Sequence, residues 1–388
     1  MDSFTETNEK NIISVADEFD YSTQDQEYSK EFKAWRKNKN NPYAFNFVMN
    51  KKESVFVDGK GFESSSPEEA ETESITRIMY LMGTAMLIWI VIENILSKLI
   101  IAIAGFIGIN VHTAFFSTAI YGGSVEIVTA LITVSLIKLT VPALYLHMKL
   151  KMPRKVELMN KLDHPADMIC SIAMAFVVCA VSGIPSIYSS NTKEIYTYFK
   201  NLDADISVWG QKEFVVYTVF NIIIVSVLSE IFFRGAAFGA LRQFGDWFAI
   251  IITSLMTGLL VQDIREIPAA VLISAVSAIG MLRSGSIITA IFVRVIYEMY
   301  QLALVIIQAD VSENMYMKLS FFILGTFVFG AAVTILLYIK NYRKTGSRLA
   351  KYSSGITQGS RIWNAVKTFP FSAVAVICLL AAIIKLVF

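Results

Sequence analysis

The sequence predicts an all-α protein, a polytopic membrane helix bundle of about nine transmembrane helices. Three observations carry this reading. Only 17% of the 388 residues are charged, 55% are hydrophobic, and the mean hydropathy is +0.54. Soluble domains carry roughly 25% charged residues. Apolar runs of about 20 residues, the length that crosses roughly 30 Å of hydrocarbon, recur from residue 78 to the end. The three cysteines, Cys170, Cys179 and Cys378, all lie in such runs and suit helix packing better than disulfides or a metal cluster. A net charge of +2 gives no reason to expect a nucleic-acid partner.

Residues 1–75 read as a polar, cytoplasmic, partly disordered arm. It is acidic over 1–28, then basic and interleaved with aromatics over 30–52 (Lys30, Lys33, Trp35, Arg36, Lys37, Lys39, Tyr43, Phe45, Phe47, Lys51, Lys52). Acids return from Glu63 to Glu73, around Ser64–Ser65–Ser66–Pro67. No apolar stretch of signal-peptide type precedes the first span, so the arm is expected to stay untranslocated. Its basic patch is suited to anionic lipid head groups or to a protein partner.

Spans are expected at about 78–107, 124–147, 164–184, 213–241, 246–262, 266–282, 286–307, 319–340 and 368–387. The connection 148–163 holds Lys149, Lys151, Arg154, Lys155 and Lys161, and 341–367 holds Arg343, Lys344, Arg348, Lys351, Arg361 and Lys367. Neither 108–123 nor 308–317 has a Lys or Arg. The positive-inside rule then places the N-terminus in the cytoplasm and the C-terminus outside. The organisation expected is the arm, a membrane core over 76–340, a basic cytoplasmic linker over 341–367 and a last helix over 368–388. The longest external segment, 185–212, carries Tyr188, Tyr196, Tyr198, Phe199 and Trp209 and suits an interfacial hairpin.

Charges inside apolar helices cost at least roughly 2.5–3.5 kcal/mol each, so they pair or line a wet cavity. Glu93, Lys98, Glu126 and Lys138 lie in the first two spans, with Glu93 and Lys138 placed to pair between them. Glu230 and Arg234 are four apart on one helix, and Arg294 and Glu298 repeat the spacing in reverse order. The two pairs are suited to one buried network.

Ser229–Glu230–Ile231–Phe232–Phe233–Arg234, followed by Gly235–Ala236 and Leu241–Arg242, resembles the EExxxR motif of the CPBP family. These are the CAAX protease and bacteriocin-processing membrane proteins, also called Abi. Ser254–Val261 is similar to that family's second motif, FxxxH, and the helix opening at Gly285–Ser286 and running through Arg294 to Glu298 is similar to its third. The resemblance implies a CPBP, or type II CAAX-protease-like, core. In the family the first Glu activates water, a His assists as acid or base, and His with Asn faces the oxyanion.

At those positions this chain differs. Ser229 stands for the first Glu, while Glu230 and Arg234 are kept. Thr257 and Val261 stand for the second-motif Phe and His, or Gly258 and Gln262 if the register slips by one. Arg294 and Glu298 stand for the third-motif His and Asn. None of His112, His147 and His164 falls in a motif. Valine moves no proton, and an arginine that is always protonated is no general base. No HExxH or zinc-ligand spacing is present, and no cofactor or metal is expected.

The function implied is a catalytically impaired CPBP-type protein of a bacterial cell membrane. It would act as a binding or regulatory scaffold with membrane lipids and a membrane or cell-envelope protein as partners. The alternative is an active intramembrane endopeptidase on prenylated or hydrophobic peptides, using Glu230 or Glu298. A transporter built on the intramembrane charges is a third reading, disfavoured by the few prolines in the spans.

Overall fold

The computed structural model describes residues 18–47, 55–58, 61–63, 66–113, 119–159, 161–188, 203–204, 211–308, 312–345 and 348–387. In chain order its longer helices are α1 (Gln26–Arg36), α2 (Pro67–Phe106), α3 (Ser124–Leu150), α4 (Pro165–Gly183), α5 (Lys212–Phe244) and α6 (Asp246–Val261). They continue as α7 (Ile267–Ser284), α8 (Ile287–Gln308), α9 (Met315–Thr345), α10 (Gln358–Val366) and α11 (Phe371–Val387). Strands are confined to three small sheets of two or three short strands.

Among the described residues, seven helices are long and apolar enough to cross a membrane: α2 to α5 and α7 to α9. The pair α10–α11, bent by 74°, makes an eighth if it is one span. The remaining expected span, 246–262, is α6, whose 16 residues rise only about 24 Å, short of a roughly 30 Å hydrocarbon layer. Hydropathy alone does not separate a short apolar helix of a buried hairpin from a full crossing.

The local chemistry sets the helix ends. Ser66 and Glu69 form a reciprocal capping box at the start of α2, with Pro67 at the first helical position. Gly285, at φ +83°, ends α7 in the left-handed conformation that glycine adopts without penalty. α6 turns into α7 through Gln262, and the two helices approach so closely that a Cβ on Gly258 would lie 2.5 Å from Val271 Cγ2. Small residues at such crossings let membrane helices gain dispersion contact where lipid supplies no hydrophobic drive. α4 packs against α7, α8 and α9, and α2 packs against α3 and α11.

Part of the arm folds onto one end of the bundle. α1 buries Tyr28, Phe32 and Trp35, with Phe32 and Trp35 stacked at 6.0 Å, in one core with residues of α2, α3, α5 and α6. Trp35 Nε1 donates to the Leu150 carbonyl at 3.0 Å and Asn41 Nδ2 donates to the same oxygen at 2.6 Å, which caps α3. The Gln243 side chain accepts from Phe45 N (2.7 Å) and donates to the Tyr43 carbonyl (3.0 Å), tying the arm to the end of α5. Glu18–Phe19 pairs antiparallel with Tyr352–Ser353, which joins arm and linker. The aromatics interleaved with the basic residues of the arm, Trp35, Phe45 and Phe47 among them, are thus largely core. The acidic positions before residue 18, Lys51 and Lys52, and the loop residues Tyr196, Tyr198, Phe199 and Trp209 lie outside the described residues.

Candidate functional site

Three stretches of the helices widen into π-helical turns: Ile92–Leu96 in α2, and Phe220–Val225 and Ile231–Ala237 in α5. Such turns re-aim side chains and often mark functional sites. All three border one cavity of about 250 Å³ among α2, α3, α5, α6, α7 and α8. Its walls include Glu93, Lys138, Asn221, Ser229, Phe233, Thr257, Val261, Glu266, Arg294, Tyr297, Glu298 and Gln301.

The four charged motif residues form two ion pairs. Glu230 Oε2 lies 3.2 Å from Arg234 Nε, and Arg294 Nη2 lies 2.9 Å from Glu298 Oε1. Arg294 stands close enough to act electrostatically on Glu230 and Arg234, so the pairs adjoin. They differ in access. Glu230 and Arg234 are buried and lie behind the cavity wall, whereas Arg294 and Glu298, about one-fifth exposed, line it.

Arg234 has a structural explanation. It donates to Thr253 Oγ1 (2.7 Å), to the Ser274 carbonyl (2.7 Å) and to Ser274 Oγ, joining α5 to α6 and α7. Its Nε contact with Glu230 is ionic, without the alignment of a hydrogen bond. Glu230 is therefore a buried counter-ion to a three-helix clamp, and it is not among the residues that line the cavity.

The neighbouring positions face the cavity with little acid–base capacity. Ser229 Oγ donates to the Ser226 carbonyl at 3.0 Å, so its proton is held by its own helix. Thr257 Oγ1 donates to the Thr253 carbonyl (2.9 Å) and lies 3.0 Å from Ser274 Oγ. Thr257 and Val261 line the cavity, while Gly258 faces Val271 of α7. Gln262 Nε2 donates to Glu93 Oε2 at 3.3 Å. None of the three histidines lines the cavity. Among the described residues no three His, Cys, Asp or Glu side chains gather where a metal ion could sit.

Glu93 and Lys138 make the interhelical pair expected from the sequence, at 2.9 Å, and Lys138 also lies 5.4 Å over the Trp89 ring. The structure places this pair in the same cavity as Arg294 and Glu298. Sequence reasoning passed over Glu266, Asn221 and Gln301. Asn221 and Gln301, polar groups in apolar runs, carried a signal; Glu266 stood at the first position of the expected span 266–282, where a charge asks for no partner. It also passed over the fully buried pair Arg242–Asp246 (2.6 Å), although that pair has the same spacing of four.

Residues 211–300, under a quarter of the chain, match the family model described as Type II CAAX prenyl endopeptidase Rce1-like. No curated protein and no solved structure matches the chain.

Proposed function

Taking as premise a membrane chain whose segment 211–300 is Rce1-like, we propose that it is a catalytically impaired relative, a binding or regulatory scaffold in the membrane. One observation carries the reading: Glu230, the carboxylate kept at the motif, is buried as the counter-ion of Arg234 and does not line the cavity. Hydrolysis needs a base within reach of a water and a partner to move the proton on. The walls supply Ser229, Thr257 and Val261 at the neighbouring motif positions, and none of these is a base. The cavity remains a place to hold part of a membrane or cell-envelope protein without cutting it. We place the protein in a bacterial cell membrane as part of the same reading, and the charge asymmetry of its loops favours the N-terminus in the cytoplasm and the C-terminus outside.

The second reading, an active endopeptidase on prenylated or hydrophobic peptides, draws on Glu298, a carboxylate that does face the cavity. Peptide hydrolysis by the purified protein in several lipids separates the two. The scaffold reading expects no turnover from the wild type, Glu230→Gln or Glu298→Ala. Turnover by the wild type that disappears in Glu298→Ala would establish the endopeptidase instead.

A further inference from the structure

We propose that Ser135, Asn221 and Gln301 form a clasp for a neutral amide group of the segment that the cavity holds, an inference that rests on the scaffold reading above. The three side chains stand on α3, α5 and α8, and all line the cavity. Among the described residues none of them has a hydrogen-bond partner within the protein. Their polar neighbours are committed. Glu93 pairs with Lys138 and Arg294 with Glu298, while Ser229 and Thr257 donate to carbonyls of their own helices.

The three lie at one level of the cavity. Three turns separate α5 from α8, so the two run antiparallel. From the level where Arg294 adjoins Glu230, Asn221 is nine residues back along α5 and Gln301 seven residues on along α8. Both are displaced by about 10–14 Å in the same direction. α3 and α5 are two crossings apart and run parallel, with Leu131 and Tyr217 in one small core. Ser135 and Asn221 come one turn further along each. On the outer side of that stretch of α5, Val219, Ile223 and Ile224 are exposed apolar surface, which puts the level inside the hydrocarbon.

Water can satisfy these groups while no segment is held. A segment that enters displaces the water and must replace its bonds. A carboxamide both donates and accepts, and its match is another amide. That amide is an Asn or Gln side chain, or a main-chain group left open where a transmembrane helix breaks. An intact apolar helix has neither to offer and would strand all three groups. A charged group fits less well, because Glu93, Lys138, Arg294 and Glu298 are already paired across the wall.

The test reconstitutes the labelled full chain in phosphatidylcholine vesicles with labelled single-span leucine–alanine peptides and reads binding by energy transfer. The peptides are identical except for one central residue, Leu, Gln, Pro or Lys. The wild type should bind the Gln or the Pro peptide at least roughly threefold more tightly than the Leu peptide. A Gln preference marks side-chain recognition, and a Pro preference marks main-chain recognition. S135A/N221L/Q301M should lose the preference and keep the thermal midpoint of the wild type, because it breaks no bond within the protein. Equal binding of the Leu, Gln and Pro peptides by the wild type would overturn the proposal, as would a preference that survives in the triple variant. So would tightest binding of the Lys peptide, which would make the site a counter-ion for a cation. A collapse of the midpoint in both the triple variant and Q301M would make the groups part of the fold and also overturn it. Cleavage of the bound peptides would remove the scaffold reading alone, and a Gln or Pro preference among them would still support the clasp.

Discussion

Arg242 and Asp246 show how charge governs single residues here. Both are fully buried, and they meet at 2.6 Å where α5 passes into α6. Asp246 also accepts from Ala350 N, and the Tyr28 ring lies 5.1 Å from the Arg242 guanidinium. Removing one partner of such a pair leaves an uncompensated charge in a low dielectric, which costs about 3–5 kcal/mol. Replacing both by apolar residues of similar volume is often close to neutral. Asp246→Ala should therefore lower the thermal midpoint in detergent markedly, and Arg242→Met with Asp246→Leu should restore most of it. If the double variant is no better than the single one, the harm lies in lost hydrogen bonds to the linker and not in the stranded arginine. The same reasoning explains Glu230: its partner Arg234 cannot shed its charge, so a carboxylate beside it is needed whether or not any chemistry takes place.

Among the connecting elements, the short helix Arg154–Leu158 between α3 and α4 has a titratable contact with α3. Glu157 lies 2.8 Å from His147 Nδ1 and is largely buried. Burial pushes its carboxyl above the usual range, and the bond and charge of His147 only partly oppose this. A folded state that holds a proton more tightly than the unfolded chain is most stable below the unfolded pKa. It loses that advantage as pH rises through the folded one. The thermal midpoint of Glu157→Gln minus that of the wild type should therefore grow as pH rises from about 4.5. A difference that shrinks over that range would mean that the ion pair with His147 outweighs burial.

Elements also show what the sequence could and could not tell. The pairs Glu230–Arg234 and Arg294–Glu298 were legible because charge inside an apolar run demands a partner and a spacing of four supplies one, and Glu93–Lys138 because opposite charges in successive spans can meet. Which pair faces the cavity was not legible. Ser229 and Glu230 differ by only 100° around α5, and the rotation is fixed by Thr253 and Ser274 on other helices. The folding of α1 was hidden for a related reason: Phe32 and Trp35 need the carbonyl of Leu150 and the core beneath it, more than a hundred residues away.

The whole molecule is asymmetric from end to end. The arm, the linker strand and Gln243 close one end of the bundle with core packing and hydrogen bonds. Toward the other end, α6 stops after 16 residues, and its turn into α7 carries Asp263, Arg265 and Glu266 at about 24 Å from Asp246. Three charges at that depth, together with the Glu93–Lys138 pair and Gln262, need water nearby. The cavity should therefore be wet and reached from the side opposite the arm. In a variant with Cys170, Cys179 and Cys378 replaced, Ser135→Cys and Gln301→Cys on the cavity wall should react with a membrane-impermeant maleimide added on that side. Ser277→Cys, buried between α7 and α8 where its hydroxyl reaches the Ala290 carbonyl, should stay unlabelled. Labelling only from the arm side would reverse the asymmetry. Labelling at none of the three positions would make the cavity dry, and the charges around it would then be held by their ion pairs alone.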